Sequence, residues 1–187
     1  MIYILIAFAT VLLKGLAFAD DIHDAAAKGD LRSVQSELDK GVNSNAKNSA
    51  SAAPPLLLAA LNSQTEIIKL LIAEGADLDG KDKFGNTSLH YASQHGSKGI
   101  VELLISNKAN VNIKNKGGET PLDIVADKDT ADILRNHNGT YGTFIGAVTA
   151  GDLNAIMIFI NSGVDVNKKT NMVGLLSMKL QYLETRK

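Results

Sequence analysis

The chain has no cysteine and no tryptophan, and it has only 3 prolines among 187 residues. Without cysteine there can be no disulfide, thiol nucleophile or cysteine-ligated zinc, so stability has to come from packing. Aromatic residues make up 5% of the chain, and the formal net charge is -1. This charge argues against a nucleic-acid partner, because such binding draws on an excess of lysine and arginine. Small and aliphatic residues are plentiful, which favours short packed helices over an all-β architecture.

The first stretch of the chain has the pattern of a secretory signal peptide. An apolar run from Ile2 to Leu13 precedes Lys14 and the small residues Ala17 and Ala19. The pattern predicts cleavage after Ala19, which would remove residues 1–19 and leave an exported protein, either periplasmic or secreted. The run is too short to span a bilayer comfortably, so no further membrane association is expected. An uncleaved first helix or an anchor is the alternative interpretation.

Two sets of segments recur at one fixed interval along the chain. PPLLLAALN, TSLHYASQH and TPLDIVADK begin at Pro54, Thr87 and Thr120, with an offset of 33 at each step. EIIKLLIAEGADLD and GIVELLISNKANVN begin at Glu66 and Gly99, with the same offset. A fixed period of this size indicates a stack of similar units. Each unit is predicted to contain a turn, a short helix, a second helix and a loop.

The spacing of apolar residues predicts two amphipathic helices in each unit. In the first helix Leu89, Ala92 and Ser93 share a narrow face, whose small residues let a neighbouring helix approach closely. In the second helix larger side chains recur at the same spacing, at Ile100, Leu103 and Leu104. Helices this short are marginal in water by themselves, so the units have to stack on one another.

Glycines mark the predicted ends of these helices. Gly96 is expected to reverse the chain between two helices, and Gly75 is expected to end a second helix, because glycine adopts positive φ easily. The sequence FGN, from Phe84 to Asn86, predicts a turn before the next helix.

The unit KDKFGNTSLHYASQHGSKGIVELLISNKANVN closely resembles the ankyrin repeat along its whole length. The resemblance implies an all-α solenoid of stacked helix-turn-helix units with short β-turn fingers. Within an array spanning 20–139, repeats are expected at about 21–48, 49–81, 82–114 and 115–139, the last of them shortened. Residues 140–187 are expected to hold a further ankyrin-like repeat. No helix start of the expected kind follows Asn167, so the final stretch is either an atypical C-terminal cap or a truncated remnant.

Serine and histidine cluster in NTSLHYASQHGS, residues 86–97, and in isolation this cluster suggests a hydrolase. The ankyrin resemblance implies instead that His90 is structural, with an imidazole that bonds loop backbone and joins adjacent repeats. It places His23 in the same position of the first repeat. Ser88 stands where proline is usual at the start of a helix, and nothing in the spacing sets a base against a nucleophile. We therefore expect no catalytic residue and no enzyme activity.

The acidic residues Asp77, Asp79 and Asp82 are spaced closely enough to suggest a calcium loop. The glycine and the closing glutamate of an EF-hand are misplaced, so these residues are better interpreted as turn residues. His95 and His137 have no cysteine or carboxylate at ligand spacing. No metal and no cofactor is predicted.

The resemblance implies that variable side chains on a concave face bind a protein partner, and it implies nothing about which one. The expected binding residues, at the fingers and at the ends of the first helices, are Leu61, Asn62, Lys83, Phe84, Asn86, Gln94, His95, Lys116, Glu119, Asp127 and Lys128. Phe84 is the best candidate for a dominant contact, although it could equally pack on a neighbouring finger. A monomer is expected.

Two other functions remain open from the sequence. An enzyme with a site in the groove would have to use His95, Lys83, Glu119 and Asp127, which are the ionisable candidates there. A truncated array without function is the other possibility, and the missing helix start after Asn167 motivates it.

Overall fold

The computed structural model describes residues 21–164, and within that range the chain forms nine helices and no strand. The first helix, α1, occupies residues 21–28 of the described chain. The others are α2 (Leu31–Asp39), α3 (Pro55–Leu61), α4 (Thr65–Ala73), α5 (Ser88–Gln94), α6 (Lys98–Ser106), α7 (Lys128–Asn136), α8 (Phe144–Ala150) and α9 (Leu153–Asn161). The all-α prediction is confirmed. The predicted signal peptide and the residues after 164 lie outside the described range.

Most of the helices come in pairs, a first helix of about two turns followed by a second helix of nine residues. Side-chain caps fix several of the starts, as when Asp30 accepts the backbone N–H of Ser33 and Asp152 accepts that of Ala155. Each such cap satisfies one of the backbone donors that a helix start leaves unpaired. Helices of this length depend on tertiary packing for their stability.

The core runs continuously through the stack, and its repeating feature is a small residue on the first helices. Ala25, Ala59 and Ala92 occupy the same position in three successive units, where each carbonyl accepts from the N-cap of the following helix, and all three are buried. Their small side chains allow neighbouring first helices to lie close together, as the sequence predicts. The face predicted for α5 is buried at all three positions. In α6, Ile100 and Leu104 are buried while Leu103 is partly buried against the core.

The turns also repeat, and they include residues other than glycine. Gly96 and Gly75 have φ of 64° and 73°, which confirms their predicted turn roles. At the equivalent positions Ser63 and Lys108 have φ of 57° and 77°. Residues with a Cβ are disfavoured in this left-handed region, so the stacked units impose these conformations.

The fourth unit, which corresponds to the repeat expected at about 115–139, differs from the plan that the sequence predicts. The segment that begins at Pro121 forms only a turn, so this unit has no first helix. Its second helix α7 starts at Lys128, thirty residues after the start of α6, instead of thirty-three. The N-cap Asp127 accepts the backbone N–H of Thr130, and the adjacent Ala126 N–H donates to the carbonyl of Ser93. The three missing residues leave no length for a first helix and a reversal before this cap.

Candidate functional site

The fingers are the turns that precede the first helices, and side-chain oxygens hold them in shape. Asp82 Oδ1 accepts the backbone N–H of Phe84 at 2.8 Å and that of Asn86 at 2.9 Å. Asn115, at the equivalent position of the next finger, accepts the N–H groups of Gly117 and Glu119 at 2.8 and 3.0 Å. Local bonds of this kind define the turn without help from a sheet.

Backbone hydrogen bonds then join each finger to its neighbour. The N–H of Lys83 donates to the carbonyl of Ser51 at 2.7 Å, and the N–H of Lys116 donates to the carbonyl of Phe84 at 2.9 Å. The Asn115 amide donates to the Asn86 side chain at 2.9 Å. These links align consecutive fingers in a row and restrict their motion relative to one another.

Phe84 lies at the tip of its finger, and 57% of its surface is exposed. The ring is therefore not buried against a neighbouring finger, which was one of the two possibilities left by the sequence. The ammonium group of Lys83 lies 5.3 Å from the ring centroid and donates to the carbonyl of Ala50 at 3.1 Å. This is a cation–π geometry next to an open aromatic face.

The remaining predicted binding residues divide into two groups. Asn62, Gln94, His95, Lys116 and Lys128 are exposed, while Leu61, Asn86, Glu119 and Asp127 are half-buried. Gln94 and His95 lie at the C-terminal end of α5, roughly 10 Å along the helix from the finger at the rise of 1.5 Å per residue. This end is free to contact a ligand.

Three of the half-buried residues have structural contacts. Asn86 lies in the link between fingers, and its amide also faces the Tyr91 hydroxyl at 3.4 Å. Glu119 accepts from the Asn115 amide at 2.9 Å. Asp127 was expected at the end of a first helix, with Lys128 beside it. Because the fourth unit has no first helix, Asp127 instead caps α7, and Lys128 is the first residue of that helix.

His90 connects two repeats, as the resemblance implies. Its Nδ1 accepts from the backbone N–H of Thr87 at 3.1 Å and lies 2.9 Å from the Thr87 hydroxyl. Nε2 therefore carries the hydrogen and donates to the Glu119 carbonyl in the next finger at 3.1 Å. Burial of the ring lowers the pKa of His90 below its usual value. His23 makes a comparable bond, from Nε2 to the Ala46 carbonyl at 2.7 Å.

Ser88 and His90 do not form the nucleophile–base pair that a hydrolase uses. The buried hydroxyl of Ser88 has no hydrogen-bond partner, and both nitrogens of His90 are occupied by structural bonds. His95 is exposed at the end of α5. The contacts of His90 in this cluster therefore stabilise the repeat.

The acidic loop residues are likewise engaged in turns. Asp77 accepts the backbone N–H of Asp79 at 3.0 Å, and Asp79 accepts that of Asn110 in the next unit at 2.9 Å. Across residues 21–164, no group of three or more histidine or acidic side chains is arranged to hold a metal ion. Nor does that range contain a helix long and apolar enough to cross a membrane.

Sequence reasoning missed the role of Asp123, which occupies the position of His90 in the fourth unit. Its Oδ2 accepts from the backbone N–H of Thr120 at 2.8 Å, as His90 does from Thr87, and from the N–H of Gly142 at 2.6 Å. Oδ1 accepts the N–H of Thr143 at 3.1 Å and the hydroxyl of the same residue at 2.5 Å. The sequence signal for this role is the alignment of TPLD with TSLH, which places Asp123 at the position of His90.

A comparison with protein families matches residues 22–115 to a family model described as ankyrin repeats, in three copies. The matched range contains the three regular units, α1 with α2, α3 with α4 and α5 with α6. No curated protein gives a significant match to the sequence. Because the family model covers half of the chain and the helix pairs have the expected plan, the chain belongs to the ankyrin repeat family.

Proposed function

We propose that this protein binds another protein through a surface made of the fingers and the C-terminal ends of the first helices, with Phe84 at its centre. Ankyrin repeats generally act as protein–protein interaction modules, and proteins built from them are typically non-catalytic. The observation that carries the proposal is the 57% exposure of Phe84 on a finger held by hydrogen bonds on both sides. An aromatic side chain on a rigid support loses little conformational freedom on binding, so it suits a dominant contact.

The charges on the fingers indicate what kind of partner surface would fit. Lys81, Lys83, Lys114 and Lys116 are all exposed on two consecutive fingers. The carboxylates nearby are already engaged, since Asp82 accepts finger N–H groups and Glu119 accepts from Asn115. We therefore expect a partner that places an apolar pocket on Phe84 and carboxylates around it. Charge pairs at the rim of an interface raise the association rate and make it depend on salt.

Affinity capture with the full chain from an extract of its own source tests this surface. The variant F84A/K83A/Q94A removes the central contact and two exposed neighbours, and E66A/K69A removes an exposed ion pair on α4 as a matched control. We expect the native chain and the control to enrich the same protein. The triple variant should bind it at least about tenfold more weakly, which is about 1.4 kcal/mol. Equal capture by all three, with unchanged thermal unfolding, would place the binding surface elsewhere.

We also propose that the protein is exported, on the basis of the signal-peptide pattern in residues 1–19. Mass spectrometry of the protein isolated from its source measures the first residue of the mature chain. Export with cleavage after Ala19 predicts Asp20 as that residue. Recovery of a chain that still begins with Met1, in the cytoplasmic fraction, would contradict the proposal.

A further inference from the structure

The last described helix, α9, is apolar on all sides. Its sequence LNAIMIFIN has two polar residues, both asparagine, and no residue of the helix is buried. The largest exposed apolar side chains are Leu153, Met157 and Ile158, which are 69%, 54% and 69% exposed. A helix that is apolar all round is normally buried on every side. Contiguous exposed apolar surface of this kind marks a contact site.

An alignment with the regular helix α6 identifies which side of α9 is unusual. The N-caps Ser97 and Asp152 correspond, so Met157 stands at the position of Glu102, and Leu153 at that of Lys98. Both Lys98 and Glu102 are exposed although α6 has a unit on each side of it. In α4, the same position as Glu102 holds the exposed Lys69.

A further repeat stacked beyond α9 would not cover this apolar surface. Another repeat stacked beyond α9 would leave the positions of Leu153 and Met157 open to solvent, just as the neighbours of α6 leave Lys98 and Glu102 open. The apolar outer side of α9 therefore needs a cover other than a further unit in the stack.

A cleft beside α9 extends the uncovered surface. It has a volume of about 490 Å³ and lies between α9 and α7, with Leu122, Tyr141, Ile158 and Phe159 in its lining. Arg135 also lines the cleft, and its guanidinium donates to the Tyr141 hydroxyl at 2.6 Å. Ile158 belongs both to the cleft and to the exposed side of α9, so the two surfaces are continuous.

We propose that residues 165–187 of this chain cover the outer side of α9. They follow Val164 directly, so they are covalently held next to the helix and at a high effective concentration. The helix is only about 14 Å long at 1.5 Å per residue, and ten extended residues reach about 33 Å, so the chain between Val164 and Leu175 is long enough to return along it. Leu176, Leu180 and Leu183 then supply apolar side chains at spacings of four and three.

Thiol labelling of the full chain tests whether the outer side of α9 is covered. The chain has no cysteine, so M157C and E102C each introduce a single thiol at equivalent positions of two helices. We expect a maleimide to label folded M157C at least about tenfold more slowly than folded E102C, and both equally fast in urea. L153C and K98C form a second matched pair, in case M157C disturbs folding.

Each other outcome of the labelling overturns the proposal. Equal rates for folded M157C and E102C would show that the outer side of α9 is open. Protection that disappears when the protein is diluted would identify a second copy of the chain as the cover. Protection that appears only with added phospholipid vesicles would identify a lipid surface.

Disulfide formation then tests the identity of the cover directly. M157C/L180C is expected to form a disulfide within one chain under mild oxidation, visible as a peptide pair after digestion, while E102C/L180C is expected not to form one. A disulfide between two chains, or equal yields in the two double variants, would overturn the proposal.

Discussion

At the scale of single residues, the hydrogen-bonding capacity of a side chain decides how it joins two repeats. His90 accepts at one nitrogen and donates at the other, so it matches a backbone N–H on one side and the Glu119 carbonyl on the other. Asp123 can only accept, and the loop that follows it offers the N–H groups of Gly142 and Thr143 instead of a carbonyl. The same position therefore carries two different residues, each matched to the polarity of its neighbour.

Buried His90 should make the stability of the protein depend on pH. Its folded pKa is lowered by burial, so the unfolded chain binds a proton more readily. The stability that neutral, buried His90 contributes is complete above about pH 6.5, the pKa of histidine in an unfolded chain. This stability is lost as the pH falls below about 6.5 towards the pKa of His90 in the folded protein. Urea unfolding between pH 8 and 5 should show this loss, with a slope of at most about 1.4 kcal/mol per pH unit.

Two variants identify the source of this pH dependence. H90N should be less stable at pH 8, because it loses the link to Glu119, and should show a flatter profile between pH 6.5 and 5. H95Q, changed at an exposed histidine, should keep the slope of the native protein. A native slope retained in H90N would assign the pH dependence to other groups.

Ser88 offers a second test at the residue scale. Its buried hydroxyl has no partner, and the equivalent positions of neighbouring units are Pro55 and Pro121. The preceding Thr87 is extended, with φ -102° and ψ 172°, which a following proline requires. We expect S88P to raise the free energy of unfolding by about 1–2 kcal/mol, since it removes an unpaired polar group and stiffens the unfolded chain.

The control S88A separates the two effects, because it removes only the hydroxyl. It should give a smaller gain, about 1 kcal/mol, in the same urea titration. If S88P were less stable than the native protein, the first turn of α5 would not share the geometry of α3.

At the scale of elements, the fourth unit shows how a second helix can be kept without its first helix. Asp127 caps α7, and Ala126 bonds to α5, so α7 keeps contact with the preceding unit. On the other side, Asp123 takes over the link to the unit formed by α8 and α9. The loss of the first helix is thus offset by side-chain bonds to the backbone on both sides.

This link predicts a specific response to substitution of Asp123. D123N replaces one accepting oxygen by an amide that faces backbone N–H donors, so it should lower the free energy of unfolding by about 2 kcal/mol. D123H should not restore the loss, because its donor would face Gly142 and Thr143, which are donors too. The control D129N, at an exposed pair with Lys98, should change stability far less than D123N, because solvent screens exposed ion pairs. Thermal and urea unfolding of the three variants measures these differences, and an unchanged D123N would contradict the assigned role.

The sequence predicts the structure of the fourth unit only in part. The repeat period and the TPLD start are visible in it, and so is the shortening near residue 139. The absence of the first helix is not visible, because PLDIVAD contains residues that a helix tolerates. Its loss follows from where Asp127 caps α7 against α5, and that position depends on packing between units.

At the scale of the whole molecule, the described chain is a row of units in which each contacts mainly its neighbours. The stability of such an array is the sum of the stabilities of its units and of the interfaces between them. A weak interface therefore allows the parts on its two sides to unfold separately. The fourth unit lacks a first helix, and a cleft separates α7 from α9. We therefore expect the weakest interfaces to lie around α7.

Leu134 and Leu104 provide a matched test of that expectation. Both are fully buried and occupy the same position, in α7 and in α6. L134A and L104A should each cost about 2–5 kcal/mol. Hydrogen exchange in low urea, measured peptide by peptide, should show α7–α9 opening separately in L134A while α3–α6 stay protected. In L104A protection should be lost across the central units, and a single shared transition in both variants would contradict a weak interface at α7.

The structural role of His90 was implied by the ankyrin resemblance. The sequence by itself determined the repeat, the pairing of helices in the regular units and the turn positions. These features depend on local spacing and residue type, which recur from unit to unit and can be compared within the chain. Only the tertiary structure decided whether Phe84 is exposed, whether the fourth unit forms its first helix, and which apolar side chains of α9 are exposed among the described residues. These three outcomes depend on distances between units, and such distances are set by packing across the stack, beyond the reach of any local pattern.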